Sequence, residues 1–325
     1  MQNFIIGKTE IKVSPLGLGC WAIGGNFKLN GKPDGYGNAN DEESIKAVNK
    51  AVDMGVTLFD TSDVYGTGHS ERILGKALNG RRKDVVIATK FGFTYDENKK
   101  EITGENTSPD YIRKACEASL RRLNTDYIDI YQIHTWSVAK EKIHTVIDTL
   151  ETLVKEGKIR SYGWSSGDIE GIKNIVDDAN LSVIQHPMNL LSYNAKILDL
   201  CDKHEMTSIA NMPLGMGLLT GKYNINSQLP SGEVRGTDHD WVIYFKNGKP
   251  NEVFLKKMDT VRDILTSNGR SLVQGALAWH WGRHGNNIPI PGFKNIKQVE
   301  ENARAMEFGP LSKKEIEEID KLLRN

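Results

Sequence analysis

Eight short runs of β-branched and aliphatic residues recur along this chain, and the stretches between them mostly carry a helical period. The runs are VSPLGLGCW (13–21), TLFDTS (57–62), DVVIATKFG (84–92), YIDIYQIHT (127–135), IRSYGWSS (159–166), LSVIQHPMN (181–189), MTSIANMP (206–213) and NIPIPGF (287–293). No other feature limits the fold as much, because parallel neighbours cannot be joined by a tight turn and need a crossover of a dozen or more residues. DEESIKAVNKAVDMG, closed by Gly55, and PDYIRKACEASLRRL, opened by Ser108-Pro109, supply such crossovers with ordinary helix start and stop signals. The 325 residues show no break in composition. Together these features predict one α/β domain, residues 1–325, folded as a (β/α)8 TIM barrel rather than an open doubly wound sheet.

The first residues, NFIIGKTEIKV, predict a β-hairpin turning at Gly7-Lys8 over the barrel bottom. Segments 22–41 and 214–250 are too long for tight connections and are predicted to be loops on the carboxyl face, where barrels bind ligands. In the first of them Lys28, Lys32, Asp34 and Tyr36 read as a polar rim.

Composition removes several function classes. The 42 basic residues balance the 42 acidic ones, so no general polyanion surface is expected, and nucleic acid is not an expected partner. No stretch is apolar for long enough to span a bilayer, and MQNFIIGKTEIK lacks the basic and apolar parts of a signal peptide, which gives a cytoplasmic expectation without a membrane partner. Cys20, Cys116 and Cys201 are odd in number and form no C-x-x-C pair, so they read as free buried thiols.

Phosphate and metal fingerprints fail on spacing. GMGLLTG (215–221) lacks the third glycine of a Rossmann turn, and Gly221-Lys222 is followed by Tyr223 where a Walker A motif needs Ser or Thr. HWGRH (280–284) has Trp281 in the place of a zinc protease's glutamate, and Cys201 with His204 lacks a third ligand, so no metal is expected.

The strand ends carry more. Side chains alternate along a strand, so Val86, Ala88 and Lys90 share one face, as do Ile128, Ile130, Gln132 and His134. Apolar or small residues lead to an ionisable one, and Asp60 ends TLFD in the same way. Each group alone has an ordinary structural explanation, Asp60 as a turn cap, Lys90 as a snorkelling chain and His134 as a core histidine. Consecutive barrel strands lie about 4.8 Å apart, however, so the three ends should converge beside Tyr65 on the loop after the second strand. The cluster reads as an acid-base site at the end of the barrel where active sites form.

In this order and at these strand positions, GKTEIKVSPLGLGCWAIGG, GVTLFDTSDVYGTGHSERILGKAL, VVIATKFG, IDIYQIHTW, PLGMGLLTGKY and IPIPGFKNIKQVEENARA resemble the aldo-keto reductase family over essentially the whole chain. The resemblance implies an NADP(H)-dependent oxidoreductase that reduces an aldehyde or ketone, with a small-molecule carbonyl substrate. Asp60, Tyr65, Lys90 and His134 match the family's catalytic tetrad. In that scheme Tyr65 donates the proton, Lys90 lowers the phenol's pKa, Asp60 balances Lys90, and His134 orients the carbonyl. Ser165, Ser166 and Gln185 match positions that hold the nicotinamide carboxamide, although the family usually has Asn in place of Ser166. Gly19, Cys20 and Trp21 match the first strand's end, with Trp21 walling the substrate pocket. Pro213, Leu214, Gly215, Gly217, Leu218 and Lys222 match the loop that crosses the pyrophosphate. Gly292, Phe293, Lys294, Gln298, Glu301 and Asn302 match the surroundings of the adenosine phosphate, Lys294 being placed to read the 2'-phosphate. Asn211 stands where similar reductases carry an aromatic ring stacked on the nicotinamide.

Two other readings stay open on sequence alone. A strand-end lysine can form a Schiff base with a carbonyl, as in an aldolase, and an aldo-keto-like regulatory subunit can bind cofactor with little turnover. Oligomeric state and the physiological substrate are not encoded in any motif found here.

Overall fold

The structure is a computed structural model and describes residues 2–177 and 180–324. Eight strands form the barrel wall: β1 (Gly17–Gly19), β2 (Leu58–Asp60), β3 (Val86–Asp96), β4 (Ile128–His134), β5 (Ile159–Ser165), β6 (Leu181–Pro187), β7 (Thr207–Asn211) and β8 (Asn287–Pro289). Consecutive strands pair in parallel from β1 to β8. The seam between β8 and β1 is narrower: one parallel bridge joins Gly19 to Gly292, and the Gly19 N–H donates to Pro291 O at 3.0 Å.

Register decides which strand ends meet. Asp60 is level with Ala88, Lys90 with Gln132, and Ser165 with Gln185. Inside the wall, Leu58, Val86, Ala88, Ile130, Val183, Ile209 and Ile288 pack into one apolar cluster, so the barrel is filled rather than hollow. Ile6, Ile11 and Val13 of the amino-terminal hairpin join that cluster and close the bottom. Gly7 must be glycine there: its φ is +46°, and a Cβ would lie 2.6 Å from Ser182 O.

Helices cover the outside through the usual apolar stripe. Asp41–Asp53 begins on Asn40, whose side chain accepts from the Glu43 N–H, and Pro109–Leu123 begins on Ser108 with proline at its first turn. After β5 the described part of the crossover carries a short helix, Ile169–Lys173.

The third strand differs from expectation. It does not stop at Gly92 but runs on to Asp96, turns, and returns as Glu101–Glu105 in an antiparallel ladder. Asp96 Oδ1 accepts from the Asn98 and Lys99 N–H groups at 2.9 and 3.0 Å, which makes DENKK a turn rather than the start of a helix. Segment 22–41 is likewise not all loop, since Lys28–Leu29 adds to that hairpin in parallel and Lys32–Pro33 pairs with it. Among the described residues no helix is long and apolar enough to cross a membrane.

Candidate active site

The strand ends converge as their spacing requires. Lys90 Nζ donates to Asp60 Oδ1 at 2.5 Å and to Thr61 O at 2.8 Å, and lies 3.4 Å from the Tyr65 hydroxyl. Asp60 Oδ2 accepts from Gln132 Nε2 at 3.1 Å and Gln185 Nε2 at 2.7 Å, so both carboxylate oxygens are occupied. Burying such an ion pair is tolerable only when its remaining lone pairs are satisfied in this way. Gln132 is a member of the site that the sequence placed on the correct face without giving it a task, and Gln185 reaches Asp60 as well as the cavity.

Tyr65 is delivered by the loop after β2. Its backbone bends under segment 22–41, and the approach is close enough that a Cβ on Gly66, where φ is +59°, would fall 1.9 Å from Gly24 O. Trp21 stacks on the Tyr65 ring at 5.9 Å between centroids. His134, at the end of β4, meets the Tyr65 ring edge-on at 6.2 Å and Phe93 at 5.0 Å.

The electrostatics add burial to the expectation that Lys90 lowers the phenol: burial first, and the Asp60 carboxylate second, outweigh the neighbouring ammonium and hold Tyr65 well above the usual 10. Burial sets the sign, and Asp60, 2.5 Å from the ammonium that stands 3.4 Å from the phenol, adds to it. Tyr65 is therefore a protonated donor in the resting protein. Burial and the Lys90 charge push the His134 imidazole down to about 3, so it is neutral at physiological pH. Ser62 Oγ lies 3.3 Å from both His134 Nδ1 and Asp63 Oδ1, and when its one hydrogen goes to Nδ1 the ring hydrogen is left on Nε2.

A cavity of about 550 Å³ opens over the tetrad and runs to the far side of the carboxyl face. Asp60, Tyr65 and His134 line it, while Lys90, with no exposed surface, acts from behind. Gly19, Trp21, Ser165, Ser166, Gln185 and Asn211 line its inner part. Pro213, Leu214, Gly217 and Lys222 line it from one side, and Gly292, Phe293, Lys294, Gln298, Glu301 and Asn302 from another. Three of the sequence-selected residues stand apart: Cys20 and Leu218 are fully buried in the core, and Gly215 packs its Cα against the Tyr244 ring. Burial raises the Cys20 thiol, so it is an inert core group.

Several lining residues carry no sequence motif. Arg235, bonded through two nitrogens to Glu233 and donating to Met216 O, sits over the Tyr36 ring and joins Lys222 and Lys294 on the cavity wall. Lys294 Nζ donates to Tyr36 O at 2.6 Å and Asn38 O at 3.3 Å, tying segment 22–41 across the cleft. Asp34 and Tyr36 do not form a polar rim: Asp34 is 7% exposed, and Tyr36 packs edge-on against Trp21. Trp241, from segment 214–250, completes the aromatic wall 5.8 Å from Trp21.

The arrangement fits a dinucleotide. Three cations lie at one end, the Asn295 cap opens the helix Ile296–Ala303 beside them, and left-handed backbone at Met212, Met216 and Gly217 lets that loop run close to a ligand. At the other end Asn211 Oδ1 is buried with no partner, an acceptor left over for a bound group.

Comparison with known proteins gives one answer. The model of the aldo/keto reductase family matches residues 15–324. An NADP+ aldo-keto reductase of Schizosaccharomyces pombe is 31% identical, the match covering 90% of this chain and 84% of that one. Among solved structures, a glycerol dehydrogenase of Gluconobacter oxydans aligns over 99% of this chain and 95% of its own, at 32% identity and a TM-score of 0.84. An aldo/keto reductase of Klebsiella pneumoniae, solved with NADP and acetate, aligns over 99% and 95% at 25% identity and a TM-score of 0.72.

Proposed function

The chain belongs to the aldo/keto reductase family, and from that premise we propose that it reduces an aldehyde or ketone to the alcohol with NADPH, using Tyr65 as the proton donor. The observation that carries this reading is the buried Lys90–Asp60 pair set 3.4 Å behind a cavity-lining phenol. When bound, reduced nicotinamide supplies the hydride for the carbonyl carbon.

The chain's own residues account for the rest. Neutral His134 presents Nε2–H to the carbonyl oxygen and orients it, at no cost of a buried second cation beside Lys90. Tyr65, held protonated by burial, passes its hydrogen to the oxygen as negative charge develops there. The phenolate then left behind is the species Lys90 stabilises, and Asp60, fixed by Gln132 and Gln185, keeps the ammonium in place. Ser165, Ser166, Gln185 and Asn211 would hold the nicotinamide end, and Lys222, Arg235 and Lys294 the phosphates. A Schiff-base role for Lys90 is disfavoured, since Asp60, Thr61 O and Tyr65 surround the nitrogen with acceptors. A cytoplasmic setting goes with this reading, as Cys20, Cys116 and Cys201 are free and buried.

The test is a steady-state screen of aldehydes, ketones and sugars with NADPH and with NADH, with the alcohol product identified. Sustained NADPH oxidation with stoichiometric alcohol is expected. A single slow turnover of bound NADPH with no steady-state rate on any carbonyl would instead favour a regulatory subunit.

A further inference from the structure

Across Trp21 from the tetrad, segments 22–41 and 214–250 bring a second set of polar groups to the cavity. The Asp34 backbone is fixed there: its N–H donates to Phe27 O and its carbonyl accepts from Trp21 Nε1, both at 2.9 Å. Its side chain is unused. No hydrogen bond reaches the carboxyl group, Oδ1 is shielded from solvent, and the nearest basic group, His239 Nε2, stands 3.9 Å away and is bonded to Pro33 O at 3.2 Å. Burial raises the carboxyl to about 7. Trp241 stacks on His239 at 5.8 Å, and its indole N–H is also buried without an acceptor. Asp34 thus brings a carboxyl without a hydrogen-bond partner to the wall of the cavity.

We propose that Asp34 is a specificity-determining residue that receives a hydroxyl group of the substrate, so that the site selects hydroxy-carbonyl compounds over unfunctionalised ones of equal length. The proposal rests on the reading of this cavity as a carbonyl-reducing site. A hydroxyl both donates and accepts, so it can satisfy Asp34 whether that carboxyl is charged or neutral. Trp21, Tyr36 and Trp241 cover the C–H faces of such a molecule. An ammonium group suits the site less, because it would enter a cavity that already carries Lys222, Arg235 and Lys294.

Two measurements on the whole protein test this. The first is the ratio of kcat/KM for glyceraldehyde to that for propanal, in the parent, Asp34→Asn and Asp34→Leu. The parent should favour glyceraldehyde by roughly 10-fold, the worth of one hydrogen bond to a buried group; Asp34→Leu should abolish the preference and Asp34→Asn should keep most of it. An unchanged ratio in Asp34→Leu overturns the proposal. The second needs no turnover: titration of glycerol and of 1-propanol, followed by the fluorescence of Trp21 and Trp241. Tighter binding of glycerol in the parent supports the proposal, and equal binding overturns it even if Asp34→Leu fails to fold. Stronger binding of 3-amino-1-propanol than of glycerol, lost in Asp34→Asn, would make the site a cation site and also overturn it. If glycerol is discriminated through Asp34 while no carbonyl is reduced, the reductase reading falls and the hydroxyl site stands.

Discussion

The two ends of the cavity are built on opposite terms. At the strand ends the tetrad's polar groups answer one another or a neighbour: Lys90 answers Asp60, Asp60 answers Gln132 and Gln185, and His134 meets Ser62. At the loop end Asp34 and the Trp241 indole face the cavity's wall unanswered, and Lys294 spends itself on backbone carbonyls. The tetrad is assembled before any ligand arrives, which is what a reaction common to many substrates requires. The second has bonds left to make, which is what discrimination between substrates requires, because a site's unpaired polar groups reject the analogue that cannot meet them. Rigid strands carry the one and long loops the other.

The largest effect that can break this contrast lies in the ion pair. Replacing Lys90 by Met leaves the Asp60 charge buried without its cation, a loss of about 3–5 kcal/mol of stability for a pair this enclosed. Carbonyl reduction should fall by orders of magnitude at the same time. Thermal unfolding and steady-state rates of Lys90→Met check both, and a variant of parental stability would show that the strand end is not the closed electrostatic unit described here.

Next comes Lys294. A charge-assisted contact to the 2'-phosphate is worth about 1.5–3 kcal/mol, so Lys294→Ala should weaken NADPH binding by roughly 10- to 100-fold and NADH binding far less. Equal losses for both would assign Lys294 to the strap it makes with Tyr36 O and Asn38 O, and not to coenzyme choice.

The smallest effect on catalysis is in pH. His134, His186 and His280 are pushed by burial to about 3, 4 and 3. These folded-state values lie below the ordinary 6.5, so the unfolded chain binds more protons, and stability is lost as pH falls below about 6.5. Catalysis should show no histidine limb between pH 5 and 7, because His134 stays neutral throughout. A break near 6.5 in kcat/KM that His134→Asn removes would contradict that environment.

How much of this was legible in the sequence follows from the same contrast. Asp60, Lys90 and His134 could be placed because strand alternation fixes which face a side chain takes, and parallel order fixes its neighbours. Tyr65 could be placed because a short loop leaves it nowhere else to go. The sign of its pKa could not, since it depends first on how deeply the folded loops bury the phenol. Asp34, Arg235, His239 and Trp241 come from segments without a period, and their burial is decided by partners far along the chain: Tyr36 for Arg235, Asp34 and Pro33 for His239, and Trp21 for Trp241. The outward run of β3 past Gly92 escaped for the opposite reason, as its partner strands lie outside the barrel pattern that made the rest readable.

The central claim is that Tyr65 hands over the proton from a site already assembled around it. The most direct measurement is a Tyr65→Phe protein, assayed for NADPH binding by fluorescence and for reduction of an aldehyde that the parent accepts. Loss of the hydroxyl should leave the dissociation constant for NADPH near the parental value while kcat falls roughly 10²- to 10⁴-fold, the usual worth of a general acid. A Tyr65→Phe protein that reduces the aldehyde at the parental rate would contradict the account.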